Sequence, residues 1–265
     1  MLPKLFVTDL DGTALDKSSQ PYATFPDHFS EFLDTLYEHK CEWAINTTWD
    51  VAGQSQLVLS STVKSEPLFL MAEFGVRLAK FNGITPGFVQ PYTSVMEKRI
   101  DEFNETFIFD IYREICSKFR PKRSLFYGHL FILTPLDEDC QALRLFVESN
   151  TEEWNKSGLI NFSLNEAGVF SIWPKFLNKG LSLAEALKQS KISADEVVVA
   201  GDELMDIDMM TPELATFAVC PENAVEQVKQ RVLDMGCFVG RGIGAVGVID
   251  SFRQLAEKEN WEFGL

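Results

Sequence analysis

The stretch "KLFVTDLDGTAL" (residues 4–15) places two acidic residues directly after a short apolar run. Residues 5–7 are β-forming and Gly12 interrupts the run, which predicts a short buried strand that leads into a turn. Asp9 and Asp11 lie two positions apart at the carboxyl end of this strand. Side chains at i and i+2 point the same way, so the two carboxylates repel each other unless a cation lies between them. The pattern therefore predicts either a cation site or an Asx-type turn, since Asp, Gly and Thr are all turn residues.

The composition is that of a globular protein with an acidic surface. The chain has 265 residues, of which 46% are hydrophobic, enough for one large core or two modest ones. Its formal net charge is −15. Nucleic acids and anionic membranes need a basic face, so neither is expected as the main partner. An anionic small molecule would need a local positive site.

Cysteine and histidine spacing gives no sign of a disulfide framework or a zinc site. The five cysteines are odd in number and contain no Cys-x-x-Cys pair, which favours a reducing, cytoplasmic location. No apolar run approaches the roughly 18 residues of a membrane helix. The cysteines are Cys41, Cys116, Cys140, Cys220 and Cys237, and the histidines are His28, His39 and His129.

Short apolar runs alternate with segments of helical periodicity, a pattern typical of α/β proteins. Strands are predicted at 41–46 and 67–74, and the pattern resumes after about residue 177 with a helix, the strand at 196–201 and further elements. Between these parts the pattern loosens. We therefore expect a doubly wound, mostly parallel sheet, with a first core segment at 1–82, an inserted domain at 83–176 and a second core segment at 177–265.

Further polar residues follow the predicted strands. Thr47 and Thr48 come after the second strand, Asp202 and Asp206 come after the strand at 196–201, and Lys179 begins a helix. In open α/β folds, ligands bind where the carboxyl ends of the strands meet. The sequence therefore predicts that a hydroxyl, a lysine and four acids, counting the two of the opening stretch, converge on one edge of the sheet.

These residues resemble the motifs of the haloacid dehalogenase superfamily of phosphohydrolases. The matching stretches are "DLDGT" (residues 9–13), "GDELMD" (201–206) and "PENAVEQVK" (221–229). The resemblance covers residues 4–81 and 177–265. It points to the subgroup with a large α/β cap inserted after the third core strand, which includes Cof-type sugar phosphatases, sucrose-phosphate phosphatases and phosphomannomutases. A Rossmann-like core sheet with an inserted α/β cap domain is therefore expected.

The resemblance implies a phosphatase that acts on a small phosphorylated molecule, in particular a sugar phosphate. Asp9 would attack phosphorus to form an aspartyl-phosphate. Asp11 would protonate the leaving alkoxide and then activate the hydrolytic water. Thr47 and Lys179 would each hold a phosphoryl oxygen, and Lys179 would also offset the charge of the nucleophile.

The expected cofactor is Mg²⁺. The carboxylates of Asp9 and Asp202 and the backbone carbonyl of Asp11 make an all-oxygen ligand set with room for phosphate, which suits magnesium and not zinc. Asp206 would lie behind this set and orient Lys179 or a metal-bound water.

The chain departs from the family pattern at three places. Thr47-Thr48-Trp49 stands where the family commonly has Thr-Gly-Arg, Glu73-Phe74-Gly75 replaces Glu-Asn-Gly, and Met205 replaces an Asn. Trp49 either stacks on a sugar or packs as a buried residue at a helix start. The candidates in the predicted cap, Glu166, Trp173 and Lys175, either contact substrate or pack within strands and hinges. The candidate substrate contacts are Thr48, Trp49, Glu166, Trp173, Lys175 and Asn223.

Two other functions remain open at this point. A phosphomutase would use the same Asp9 chemistry but return the phosphoryl group to a sugar. A non-catalytic relative would bind a ligand without turnover. Dehalogenation is disfavoured, because Asp11 supplies an acid that phosphoryl transfer needs and dehalogenation does not.

Overall fold

The protein, seen here in a computed structural model, consists of two compact units. The first comprises Met1–Thr93 and Asn178–Leu265, and the second comprises Ser94–Leu177. The structure describes residues 2–15, 23–83, 85–126, 128–164 and 169–264.

Strands and helices alternate along most of the chain. The strands are β1 (Leu5–Thr8), β2 (Glu42–Asn46), β3 (Phe69–Ala72), β4 (Arg77–Lys80), β5 (Gly87–Phe88), β6 (Pro121–Phe126), β7 (Phe131–Pro135), β8 (Ile160–Leu164), β9 (Phe170–Pro174), β10 (Val197–Ala200), β11 (Phe217–Cys220) and β12 (Phe238–Val239). The α-helices are α1 (Asp27–Glu38), α2 (Val51–Ser60), α3 (Tyr92–Phe103), α4 (Phe109–Lys118), α5 (Cys140–Trp154), α6 (Lys179–Ser190), α7 (Glu226–Asp234) and α8 (Gly244–Glu259). Within the described ranges, no helix has both the length and the apolar character needed to cross a membrane.

An eight-stranded sheet forms the centre of the first unit, in the order β12-β11-β10-β1-β2-β3-β4-β5. The strands from β12 to β3 are parallel, and β4 and β5 pair antiparallel at one edge. All residues of β1, β3 and β10 are buried, as expected for strands covered on both faces. The predicted α/β fold with a doubly wound, mostly parallel sheet is confirmed.

Aromatic side chains fix the helices that cover β1. The ring of Phe6 on β1 packs edge-on against Phe32 of α1 at 5.4 Å and against Phe252 of α8 at 5.7 Å, measured between ring centroids. Phe32 and Phe252 also pack on each other at 5.2 Å. Such pairs each contribute about 0.5–1.5 kcal/mol beyond the burial of their area. These contacts pack α1 and α8 together on β1, the central strand that leads into the acidic motif.

The second unit has a four-stranded antiparallel sheet in the order β6-β7-β9-β8. Buried and half-buried residues alternate along β7 and β9, so one face of this sheet packs on a core. That core shares no residue with the core of the first unit. Its members include Ile111, Ile115, Phe131, Leu133, Leu143, Val147, Phe170 and Ile172.

The second unit begins at Ser94, further along the chain than the sequence-based bound of residue 83. The reason is that β5 extends the sheet of the first unit by pairing with β4, with Phe88 opposite Ala79. In addition, the hydroxyl of Tyr92 donates a hydrogen bond to the carbonyl of Gly75. These contacts keep the segment between β4 and α3 in the first unit. At the other end, the bound after Leu177 differs by one residue from the predicted bound after 176.

Candidate active site

Three buried acids meet at the carboxyl edge of the central sheet. Strands β1 and β10 pair in parallel, and beyond β1 the backbone N–H of Asp9 donates to the carbonyl of Ala200 at 3.0 Å. Asp202 and Asp206 lie in the segment that follows β10. One carboxylate oxygen from each of the three acids lies within 4.8 Å of the others. Buried carboxylates held this closely either take up protons or need positive charge beside them.

Lys179 supplies part of that charge. It is the first residue of α6, and the helix start is fixed by Asn178, whose side chain accepts a hydrogen bond from the backbone N–H of Leu181 at 3.0 Å. The Nζ of Lys179 lies 2.6 Å from Oδ1 of Asp9 and 2.6 Å from Oδ1 of Asp206. Lys179 is only 2% exposed. The predicted convergence of this lysine with the acids after β1 and β10 is thus what the structure contains.

Both carboxylate oxygens of Asp206 accept hydrogen bonds from N–H donors. Its Oδ2 accepts hydrogen bonds from the backbone N–H groups of Asp202 and Glu203, both at 2.9 Å, while its Oδ1 accepts from Lys179. A carboxylate that uses both oxygens in this way holds its neighbours in place and has little capacity left for another ligand. Asp9 is less engaged, because Lys179 is the one described side chain that donates to its carboxylate, beside the backbone N–H of Leu10.

Asp202 is held by two side chains from other segments. The Oγ1 of Thr13 donates to Oδ1 of Asp202 at 2.6 Å, and Nδ2 of Asn223 lies 3.4 Å from Oδ2. The same Nδ2 donates to the carbonyl of Gly12 at 2.8 Å, and Oδ1 of Asn223 accepts from the backbone N–H of Gly244 at 2.8 Å. The amide of Asn223, a candidate substrate contact on sequence grounds, is therefore engaged within the protein. Sequence reasoning gave no role to Thr13, although it belongs to the same Asp-x-Asp-Gly-Thr stretch.

Two glycines allow the acids to approach the backbone. Gly12 has φ +77°, and a Cβ built on it would lie 2.2 Å from Oδ2 of Asp202. A Cβ on Gly201 would lie 2.3 Å from Cβ of Asp206. Neither position can accept a larger residue without displacing a carboxylate. Both glycines flank acidic residues in the sequence, and that adjacency is the signal that could have identified them.

Asp11 interacts with the residue that replaces the usual arginine of the second motif. The Nε1 of Trp49 donates to Oδ2 of Asp11 at 2.7 Å. Trp49 is 6% exposed and directly precedes Asp50, whose side chain caps α2 by accepting from the N–H of Gly53. Of the two interpretations of Trp49, the structure matches the buried residue at a helix start and leaves little ring surface for stacking.

The end of β2 reaches the same edge through its register with β1, in which Thr8 lies opposite Ile45. Thr47 is 1% exposed, and its backbone N–H donates to the carbonyl of Met71, whereas Thr48 is half-buried. The preceding residue, Asn46, donates from Nδ2 to the backbone carbonyl of Lys179 at 2.9 Å.

This contact joins β2 to the first turn of α6. No pattern in the sequence distinguishes Asn46 from an ordinary residue at a strand end.

Burial dominates the electrostatics of the cluster. It raises the pKa of Asp9 to about 7 against the opposing charge of Lys179, and it raises the pKa of Asp202 to about 6 against the hydrogen bond from Thr13. Burial alone would lower the pKa of Lys179, but the carboxylates of Asp206 and Asp9 outweigh it and hold that pKa above its ordinary value. One lysine does not offset three carboxylates, so the cluster favours a further cation.

The remaining candidates belong to the second unit. Glu166 lies outside the described residues. Trp173 is half-buried in β9, and Lys175 is exposed directly after β9. The acidic cluster of the first unit is built without them.

Comparison with known proteins assigns the chain to a family. The family model of haloacid dehalogenase-like hydrolases matches residues 25–234. The chain belongs to this family, and its prediction as an enzyme of the hydrolase class is confirmed. The match includes Thr47, Lys179, Asp202 and Asp206, and it begins after Asp9 and Asp11, so the place of Asp9 in the cluster rests on the geometry above. A comparison with curated proteins found no significant match.

Several solved structures share the fold. Sucrose-phosphatase from Synechocystis, solved with sucrose and phosphate, has a TM-score of 0.63 and 18% identity over 96% of this chain and 98% of its own. A haloacid dehalogenase-like hydrolase from Bacteroides thetaiotaomicron has a TM-score of 0.58 and 16% identity over 97% and 99%. Trehalose-6-phosphate phosphatase from Aspergillus fumigatus has a TM-score of 0.53 and 14% identity over 88% and 91%. At these identities the likeness establishes the fold, and the resemblance inferred from the motifs is confirmed at the level of family and fold.

Proposed function

We propose that this hydrolase is a magnesium-dependent phosphatase that cleaves a small phosphate monoester, in particular a sugar phosphate, through an aspartyl-phosphate on Asp9. The observation that carries the proposal is the placement of Lys179, which donates to Oδ1 of Asp9 and is the one described side chain that donates to this carboxylate. A carboxylate with one oxygen held by a cation, and with no second described side chain donating to it, is arranged as an oriented nucleophile.

The donor set at this edge fits Mg²⁺. Asp9 and Asp202 offer carboxylate oxygens, and the carbonyl of Asp11 follows in the same turn, whereas Asp206 has both oxygens occupied by N–H donors. Asp202 approaches Gly12 so closely that an added Cβ would lie 2.2 Å from its Oδ2. Hard oxygen donors of this kind suit magnesium better than zinc. Mg²⁺ bound here would neutralise charge on the phosphoryl oxygens and on Asp9.

The reaction proceeds in two displacements. Oδ2 of Asp9 attacks phosphorus, the bond from phosphorus to the ester oxygen breaks, and Asp11 gives its proton to the departing oxygen. A water then gives a proton to the Asp11 carboxylate and attacks phosphorus. The bond between phosphorus and Asp9 breaks, and inorganic phosphate leaves. Lys179 and Thr47 hold phosphoryl oxygens throughout, and Lys179 limits the repulsion between Asp9 and the incoming anion.

Substrate selection is assigned in this proposal to the second unit, acting as a cap domain. Trp173 and Lys175, together with Glu166, are the candidate contacts there, and Thr48 is the candidate in the core. The sequence resemblance to a subgroup with inserted caps supports this assignment, as does the separate core of the unit. Structures determined with and without a bound sugar phosphate test it, because an unchanged arrangement of the two units in both would count against a closing cap.

A phosphate-release screen tests the proposed function. The purified protein is assayed on a panel of sugar phosphates and on p-nitrophenyl phosphate, with Mg²⁺, with Ca²⁺ and after exhaustive chelation. We expect turnover with Mg²⁺ and weak turnover with Ca²⁺, since Ca²⁺ prefers more ligands at longer distances. The Asp9→Asn variant should show only background turnover in this screen. Asp195→Asn is its matched control and should keep full turnover, because Asp195 is an exposed acid of the same unit.

Three other results of this screen would contradict the proposal or favour an alternative. Full activity after chelation contradicts the metal requirement. Absence of turnover on every monoester contradicts the phosphatase and favours a binding module. Strong activation by a sugar bisphosphate favours the alternative, a phosphomutase that uses the same Asp9 chemistry.

A further inference from the structure

Trp49 and Asp11 form a partly buried contact between two loops of the carboxyl edge. The two residues are 38 positions apart, and the distance from Nε1 of Trp49 to Oδ2 of Asp11 is 2.7 Å. An indole N–H can only donate, so Oδ2 is the acceptor in every protonation state of Asp11. Hydrogen bonds from such a donor to a carboxylate are among the stronger ones in proteins.

The tryptophan is itself firmly held. Its backbone carbonyl accepts hydrogen bonds from the N–H of Glu73 and from Nε2 of Gln54, both at 3.2 Å. The next residue, Asp50, caps α2. The backbone of Trp49 is thus tied to the segment after β3 and to the start of α2. A hydrogen bond from a side chain anchored in this way fixes the orientation of the group that accepts it.

The two oxygens of Asp11 are consequently not equivalent. Oδ1 is buried and, among the described residues, has no hydrogen-bond partner. The carbonyl oxygen of a carboxylic acid accepts a hydrogen bond better than its hydroxyl oxygen, so the indole N–H on Oδ2 favours the proton on Oδ1. The indole therefore determines which oxygen of Asp11 exchanges a proton with a bound molecule.

We propose that Trp49 is a positioning residue for proton transfer to the leaving group. By holding Oδ2, it orients the Asp11 carboxyl so that Oδ1 delivers the proton to the ester oxygen and later receives one from water. This inference rests on the proposed phosphatase function and extends it to the class of phosphate ester that the enzyme cleaves. The contact matters for esters of alcohols, whose alkoxide must be protonated as it leaves, and not for aryl esters, whose phenolate leaves unprotonated.

Trp49→Phe tests the proposal, because it removes the N–H and keeps an aromatic ring. We expect kcat on an alkyl or sugar phosphate to fall ~10-fold or more relative to kcat on p-nitrophenyl phosphate, with KM nearly unchanged. Trp43→Phe is the matched control. Trp43 is also buried in this unit, and its Nε1 donates to Oγ of Ser65 at 3.0 Å, away from the acids. The control should lose comparable stability and show no dependence on the leaving group.

A second measurement does not depend on turnover. In protein labelled with ¹⁵N-tryptophan, the indole N–H resonance of Trp49, identified by its absence from Trp49→Phe, should shift upfield in Asp11→Ala. The resonance of Trp43 should not move. An unshifted Trp49 resonance, or equal losses on alkyl and aryl phosphates in Trp49→Phe, would overturn the inference while the phosphatase stands. If the unaltered protein hydrolyses no phosphate ester, both the proposed function and this inference fall, even if the resonance shifts.

Discussion

The ammonium of Lys179 lies 2.6 Å from a carboxylate oxygen of Asp9, across 170 residues of sequence, and both groups are buried. The second contact of the lysine, to Asp206, has the same length. This arrangement joins the end of β1, the start of α6 and the segment after β10. The cluster therefore exists only when these three segments are folded together, and changes to it should affect both stability and activity.

Lys179→Gln should abolish turnover and destabilise the fold. The change leaves two buried carboxylates without their cation, and breaking a buried pair typically costs about 3–5 kcal/mol. Urea unfolding measures the loss. Lys188→Gln on the same helix is the control, since Lys188 is exposed and contacts Glu185 only at the surface, where such pairs contribute about 0–1 kcal/mol. Equal stabilities of the two variants would contradict the structural role of Lys179.

The stability of the metal-free protein should fall as pH rises from about 4 to about 7. Burial raises the pKa of Asp9 to about 7 and the pKa of Asp202 to about 6, whereas both carboxyls titrate near 3.8 when the chain is unfolded. In this window the folded protein binds more protons than the unfolded chain, so the free energy of unfolding decreases with pH. Urea unfolding in a chelator at about pH 5 and at about pH 8 measures the difference.

Asp9→Asn should flatten this pH dependence, because it removes the group with the larger shift. Added Mg²⁺ should also flatten it, because a cation beside the carboxylates lowers their pKa values. Stability that rises steadily with pH in the presence of chelator would show that burial does not control these groups.

Asp9→Asn and Asp11→Asn should fail differently. Asp9→Asn removes the nucleophile, so turnover should drop to background and no phosphoenzyme should form. Asp11→Asn retains the backbone carbonyl proposed as a ligand, so Mg²⁺ and substrate should still bind. Its loss should be severe for a sugar phosphate and milder for p-nitrophenyl phosphate, and the covalent intermediate should accumulate. Rapid-quench trapping of labelled phosphoenzyme measures this accumulation.

Two results would contradict the roles assigned to Asp9 and Asp11. Substantial Mg²⁺-dependent turnover by the Asp9→Asn variant would exclude Asp9 as the nucleophile. Equal losses on both substrates by Asp11→Asn, without trapped intermediate, would exclude Asp11 as the acid.

Gly12→Ala should impair the site beyond its backbone strain. A Cβ at this position would lie 2.2 Å from Oδ2 of Asp202, so the carboxylate must move. Gly158→Ala is the control, because Gly158 also has a positive φ, +66°, but no atom lies within 4 Å of its added Cβ. Both variants should lose about 1–2 kcal/mol to the left-handed backbone. Only Gly12→Ala should also weaken magnesium binding, measured by calorimetry, and a normal affinity in that variant would contradict the predicted contact.

The strands and the order of the acidic motifs could be predicted from the sequence. Runs such as "EVVVAG" are continuous, β-branched and short, which is what burial on both faces of a parallel sheet requires, and β10 lies within that run at Val197–Ala200. Once β1 and β10 are recognised as parallel strands, Asp9 and Asp202 must lie at the same edge. The convergence of these two acids therefore follows from strand direction, which places the carboxyl ends together. Lys179 begins a helix, and its predicted place beside them rested on the order of the motifs along the chain and on the family resemblance.

What the tertiary structure decided is how those residues divide their tasks. Asp202 and Asp206 look alike in "GDELMD", but the turn after β10 directs two backbone N–H groups at Asp206 and the hydroxyl of Thr13 at Asp202. For Trp49 the sequence offered two places, stacked on a sugar or buried at a helix start. Its hydrogen bond to Asp11 depends on the paths of two loops and on one rotamer. Periodicity and motif spacing encode the direction and burial of each element, whereas contacts between side chains of distant loops exist only once the whole sheet is assembled.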